Sequence, residues 1–324
     1  MESSRLLMLA ATLAFAPLNA QELLFLGGGA RESGLEQTTY TWGVEYHGLG
    51  DYTSLSLGWL NEGHLQGHHR DGPVAQLWAH TDLLPRRLAL ELGLGPYTYF
   101  DTQLAAEGAS YANDHGYGLI YSAGLKWDFK NRWLLHLRIN RVVTDTPVDT
   151  TQLLVGIGYQ LDTPSANGSR WDTTEARQNT TRNEFTVFAG RTILNSFKSE
   201  NSTALSLEYR RVLGPYMEGS LALLHEGGQH IIRRNGVTTQ LWMVRAFLHD
   251  RLVLGAGAGA YFVLNKEHLI EYNNDKDEQT SGIISLTASY RYNARWFARL
   301  SLNRIATGYS RDTDIILLGG GYRF

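Results

Sequence analysis

The chain has 324 residues, 43% hydrophobic and 19% charged, with 34 Gly, 7 Pro, no Cys and a net charge of −3. The missing cysteines exclude disulfides, thiolate zinc sites, iron–sulfur clusters and a Cys nucleophile. Basic residues (29) against acidic ones (32) offer no electrostatic case for nucleic acid, and 11% aromatics exclude a disordered tail protein.

Residues 1–20 carry Arg5, an apolar run from Leu6 to Ala16, then Pro17 and small residues ending at Ala20. That order predicts a secretory signal peptide removed after Ala20. A membrane anchor would need about 20 apolar residues, so the apolar run predicts export rather than a span.

Beyond Ala20 the pattern has period two. Leu119, Tyr121, Ala123, Leu125 and Trp127 alternate with Ser122, Gly124, Lys126 and Asp128. Leu205, Leu207 and Tyr209 alternate with Ala204, Ser206, Glu208 and Arg210, and Trp296, Ala298, Leu300 and Leu302 with Arg299, Ser301 and Asn303. Such alternation gives strands with chemically opposite faces. The spacing predicts strands at 22–30, 38–47, 52–61, 74–83, 87–99, 117–129, 132–143 and 149–161. Their connections alternate long and short, which in an exported antiparallel chain is the pattern of an outer-membrane barrel rather than a soluble lectin-like sandwich. Trp59, Tyr97, Trp127, Trp133, Tyr159, Trp296 and Tyr322 are the expected interfacial girdle.

The second half repeats the first. Residues 132–161 align without a gap to 295–324 with 12 identities in 30, and 60–78 to 224–242 with 8 in 19. The strand order recurs at 184–194, 203–211, 216–225, 237–247, 252–264, 281–292, 296–306 and 313–324. The expected architecture is therefore all-β: two tandem eight-stranded transmembrane antiparallel up-and-down β-barrels, 21–162 and 183–324, joined by a polar periplasmic linker at 163–182. The alternative is one sixteen-stranded barrel acting as a passive diffusion pore. Each half is long enough for a barrel filled by its own side chains. Glu45, Glu91, Lys126, His136 and Arg138 are inward candidates in the first half, and Glu208, Arg210, Arg291 and Arg299 in the second. Charges of both signs in a dry lumen are expected to pair.

GLGPYTYF at 93–100, the hairpin beginning RWLLHLRINRVV at 132–143 and the closing GYRF at 321–324 are similar to the last strands of the lipid A 3-O-deacylase (PagL-like) eight-stranded barrels. The resemblance implies the small-barrel fold. That family's penultimate strand carries a His-x-Ser-Asn motif for ester hydrolysis. In register, its His and Ser positions hold Arg141 and Val143 in the first copy and Arg304 and Ala306 in the second. Val and Ala have no attacking atom, so the likeness implies the fold without the chemistry.

Four further features are candidates. His64, His68 and His69 form a histidine cluster that the second copy reduces to one His in GQHIIR at 228–233. A polar loop explains it better than a metal site. Glu62 and Glu226 recur with His64 and His225 nearby, a carboxylate arrangement suited to acid–base work on an envelope lipid or to contacts among rim loops. Asp114-His115 lacks a matching Ser. Arg141/Asp149 and Arg304/Asp312 are expected to pin the last hairpin of each copy, and GAGAGA at 255–260 and GGG at 319–321 to leave room in a narrow barrel. Loops 62–73, 100–116, 226–236 and 265–280 are expected to be long and extracellular.

The sequence thus predicts an integral protein of the cell outer membrane, without catalytic, cofactor or metal residues, acting in a structural or surface-interaction role. Its expected partners are outer-membrane lipids and lipopolysaccharide, the assembly machinery through the C-terminal strand ending Phe324, and an unidentified loop ligand.

Overall fold

The computed structural model describes residues 20–33, 37–50, 52–65, 67–85, 87–104, 111–129, 131–146, 148–161, 181–214, 216–227, 234–248, 250–266 and 279–324. The expected leader before Ala20 lies outside these residues, as do most of 163–182, the GQHIIR segment and the centres of loops 100–116 and 265–280.

The first unit contains β1 (Ala20–Glu32), β2 (Thr38–Leu49), β3 (Thr53–Leu65), β4 (His68–Leu84), β5 (Leu88–Gln103), β6 (Ala112–Asp128), β7 (Trp133–Thr144) and β8 (Thr150–Gln160). Neighbours in sequence are neighbours in the sheet, and β8 closes on β1 with Gln160 opposite Glu22. The second unit contains β9 (Asn183–Leu194), β10 (Asn201–Gly214), β11 (Met217–His225), β12 (Arg234–Phe247), β13 (Leu252–Lys266), β14 (Thr280–Arg291), β15 (Trp296–Ala306) and β16 (Thr313–Arg323). There β16 closes on β9, with Arg323 opposite Glu184. The sixteen-stranded alternative is thereby overturned. Eight tilted strands close on themselves, and the edge that would have joined the two halves is already paired.

The strands form because alternation is satisfied on both faces. On β7, Trp133, Leu135, Leu137 and Ile139 are exposed while Leu134, His136, Arg138 and Asn140 are buried. The same inversion runs along β15, with Trp296, Leu300 and Leu302 outside and Arg299 and Ser301 inside. Apolar side chains outside a polar interior are stable only where hydrocarbon surrounds the wall. The protein is an outer-membrane β-barrel protein, and it crosses with strands. On the outer faces Trp133 meets Tyr159 edge-on at 5.2 Å and Trp296 meets Tyr322 at 5.0 Å, four of the expected aromatic anchors.

Tyr97 departs from that expectation. It is fully buried in the lumen, in a cluster with Leu60, Val74, Tyr99, Ile120 and Val142. It shares strand parity with inward Glu91, while Leu92 and Leu94 face out. The expected loop 62–73 is also not a loop. Strands β3 and β4 continue through it to a tight turn at Gly67, whose φ is +73°. Similarly, β5 reaches Gln103, β6 begins at Ala112 and β12 begins at Arg234, so the outer connections are shorter than the polar composition suggests.

Candidate functional site

In both units the lumen is filled. The lower part of the first, toward the end where β1 begins, holds Glu22, Glu45, His47, Glu91, Lys126, His136 and Arg138, all buried. Arg138 Nη1 lies 2.6 Å from Glu45 Oε1, and His47 Nε2 lies 2.8 Å from Glu45 Oε2. His136 Nε2 lies 2.7 Å from Glu91, and Lys126 Nζ sits 3.3 Å from Glu22 and 3.5 Å from Glu91. Above this network the Arg138 guanidinium stacks 4.4 Å from the Trp78 ring, whose Nε1 donates to Ser56 Oγ at 2.9 Å. Trp78 is 1% exposed and Arg138 0%, so the cross-section at this height is closed. Gly93 makes room for the indole: a Cβ there would meet the Trp78 ring at 2.6 Å.

The second lumen reaches the same end with different residues. Arg299 donates to Glu184 at 2.6 Å and to Glu208 at 2.9 Å, and Arg210 bonds Glu208 at 3.0 Å and lies 3.6 Å from Glu218. Arg291 pairs with Asp250 and lies 3.7 Å from Glu184, and Arg323 lies 3.2 Å from Glu184. Here Arg210, not the β15 residue, covers the indole, 3.8 Å above Trp242, whose Nε1 donates to Ser220 Oγ at 2.8 Å. The glycine seat recurs at Gly257, where a Cβ would meet the Trp242 ring at 2.5 Å.

All nine inward residues expected from the sequence occupy the lumens; the eight Glu, Lys and Arg side chains pair with opposite charges, and His136 hydrogen-bonds Glu91. Sequence reading missed Glu22, His47, Glu184, Glu218 and Arg323, which complete these networks near the strand ends. Their parity was the available signal.

Toward the outer rim the two units carry one duplicated clamp. Arg70 Nε and Thr150 Oγ1 both donate to the Glu62 carboxylate, and Arg70 Nη1 donates to Val148 O at 2.8 Å. In the second unit Arg234 donates to Glu226 at 2.7 Å, Thr313 Oγ1 donates to Glu226 at 2.8 Å, and Arg234 Nη1 reaches Arg311 O at 3.2 Å. Each Glu precedes a glycine at positive φ, Gly63 (+70°) and Gly227 (+105°). A β-bulge at Gly63 breaks the β3–β4 register between Asn61 and His64 and aims the carboxylate inward. Both rim glutamates are fully buried and held by Arg and Thr.

The histidine cluster is dispersed among partners. His64 and His69 stack at 4.3 Å and 10° across the β3–β4 hairpin, His64 meets the Tyr40 hydroxyl at 3.0 Å, and His69 meets Asn61 at 3.2 Å. His68 Nδ1 lies 2.7 Å from Asp101. That hydrogen bond raises the His68 pKa above the ordinary imidazole value, against partial burial. Among the described residues no group of three or more His, Cys, Asp or Glu is arranged to hold a metal ion. Asp114 accepts from Gln103, and His115 packs edge-on against Phe100 at 5.3 Å.

Arg141 pairs with Asp149 at 2.8 Å, as expected of a hairpin pin. In the second copy Arg304 grips Asp314, its cross-strand neighbour, at 2.9 Å, while Asp312 accepts from Thr307 N at 2.7 Å. Val143 faces outward on β7 and brings no nucleophile to the place that the deacylase likeness points to.

No family model matches the sequence, and no curated protein sequence matches it. Solved structures are similar in fold. The N-terminal β-barrel domain of OprF from Pseudomonas aeruginosa aligns over 44% of this chain and 97% of its own, at 15% identity and a TM-score of 0.36. Neisserial surface protein A (NspA) aligns over 43% and 96%, at 11% identity and a TM-score of 0.37. Ail, the attachment invasion locus protein of Yersinia pestis, aligns over 44% and 96%, at 11% identity and a TM-score of 0.34.

Proposed function

We propose that this protein is a non-catalytic, non-conducting outer-membrane anchor, two plugged barrels whose rims and outer loops serve a structural or surface-interaction role. The reading rests above all on the lumens. Each is crossed by a buried Arg–Trp stack embedded in mutually neutralised ion pairs, Arg138 on Trp78 and Arg210 on Trp242. A wet pore would leave those side chains exposed to water. Reconstitution into planar bilayers tests it. The expected result is no steady current above the lipid background, and large stable conductance steps would overturn it.

On the same reading, residues 1–20 are a cleaved leader, 163–182 a periplasmic linker between folded units at 21–162 and 183–324, and the β16 strand ending Phe324 the segment read by the assembly machinery. Phe324 supports this by facing outward beyond Tyr322, with its backbone bonded to Asn183 at the barrel seam. Cleavage within 163–182 should release two fragments that each remain heat-modifiable, and deletion of Phe324 should slow insertion. A catalytic role would show as an altered acyl pattern in lipid A from producing cells. We expect the mass spectrum to be unchanged, because both rim glutamates are already engaged by arginine.

A further inference from the structure

On the membrane-facing side of the second unit lies a groove of about 570 Å³. Its floor is Gly219, Ala258 and Ala260, its walls include Leu221 and Leu241, and Arg211 stands at its periplasmic foot. The ladder register fixes this arrangement: Arg211 lies opposite Gly219, Gly219 opposite Leu241, and Leu241 opposite Ala258. Arg211 is exposed, two residues below Tyr209 on the same outward face. A cation on the lipid face is tolerated where it reaches the headgroup layer.

The internal duplication supplies a control for whether the fold demands this hollow. The equivalent ladder in the first unit runs Gly48, Leu55, Leu77 and Leu94. There a glycine replaces the arginine and leucines replace Gly219 and Ala258. The same wall therefore closes with larger side chains in place of the small ones and without the cation. A Cβ on Gly219 would meet only the Leu213 side chain, at 3.3 Å, so local packing does not require glycine. Along this ladder the small residues and the cation occur together in one copy and are replaced together in the other.

We propose that this face of the second barrel binds a glycerophospholipid of the periplasmic leaflet, its phosphate on Arg211 and one acyl chain laid along Gly219, Ala258 and Ala260. An apolar slot with a single cation at its headgroup end matches an anionic headgroup on an apolar tail. The proposal rests on the outer-membrane placement, which cell fractionation judges on its own. The binding assay is done on purified protein and does not depend on that result.

The test uses the full chain, stripped of lipid in detergent and titrated with phosphatidylglycerol or with dioleoylglycerol, bound lipid being counted by native mass spectrometry. The wild type is expected to retain one phosphatidylglycerol in preference to the uncharged lipid. The variant G219L/A258L, which installs the first unit's residues, is expected to bind about tenfold more weakly, and R211G to lose the preference for phosphate. Retention by heat-modifiable G219L/A258L equal to wild type would overturn the proposal, as would an unchanged preference in R211G. R211G leaves the packing alone, so it decides the matter even if the groove-filling variant does not fold.

Discussion

The two barrels solve the same problem at the same height with different residues. In the first, the guanidinium over Trp78 comes from β7 (Arg138), and the β2 position holds His47, whose ring is 5.6 Å from the same indole. In the second, the ladder equivalent of His47 is Arg210, which takes the place over Trp242, and the equivalent of Arg138 is Ser301. The arginine has moved across the lumen. By contrast Glu62–Arg70–Thr150 and Glu226–Arg234–Thr313 are the same clamp, residue for residue. Where backbone geometry dictates the side chain, as at a bulge glycine, duplication has preserved it. Where only neutrality and volume matter, charges have exchanged partners.

Removing one member of the preserved clamp should do the most damage. Glu226→Ala leaves Arg234 buried without its carboxylate, an effect on the order of 3–5 kcal/mol. Urea unfolding of the refolded protein, followed by loss of heat-modifiability, should show the second barrel failing first. Glu62→Ala should act equally on the first, and a loss below about 1 kcal/mol in either would show that the clamp is decoration. The exchanged network should respond differently. Arg210→His and Ser301→Arg are each expected to cost about 2–4 kcal/mol, while the double variant, which rebuilds the first barrel's arrangement, should recover at least 1 kcal/mol through a favourable coupling. Strict additivity would mean that the two lumens are not interchangeable solutions. Next in size is Trp242→Phe, which loses the bond to Ser220 and part of the stack under Arg210, about 1–2 kcal/mol. Trp78→Phe should match it within about 0.5 kcal/mol, since both indoles sit on a serine and a glycine.

Most of the membrane-embedded wall was legible because hydrocarbon enforces strict alternation. Lys126 and Arg299 could be assigned to the lumen from their neighbours alone. Tyr97 was misread although the same rule covered it: it lies six residues from Glu91 and must share its face, but an aromatic near a strand end suggested the girdle. The hairpin through 62–73 was illegible for a physical reason. Beyond the membrane no hydrocarbon demands an apolar outer face, so His, Gly, Asp and Pro accumulate and the period fades while the backbone pairing continues. The identity of ion-pair partners was also hidden. Glu45 meets Arg138 across the lumen, from strands distant in sequence, and that juxtaposition depends on barrel stagger rather than on local pattern.

The smallest effect expected lies at that outer hairpin, where the second copy has no described counterpart. His68 stands at the tip of β4 beside Asp101, which raises its pKa, and its side chain is partly exposed, so water screens part of the interaction. The sign follows from linkage. Because the folded protein holds the proton more tightly than the unfolded chain, the stabilisation is complete below the unfolded imidazole value of about 6.5 and disappears as the pH rises through the higher folded value. Hairpin protection, read by amide hydrogen exchange on residues 64–70 across that range, should decline with rising pH in the wild type and be flat in His68→Gln. If the decline persists unchanged in His68→Gln, the pH response does not belong to the His68–Asp101 pair.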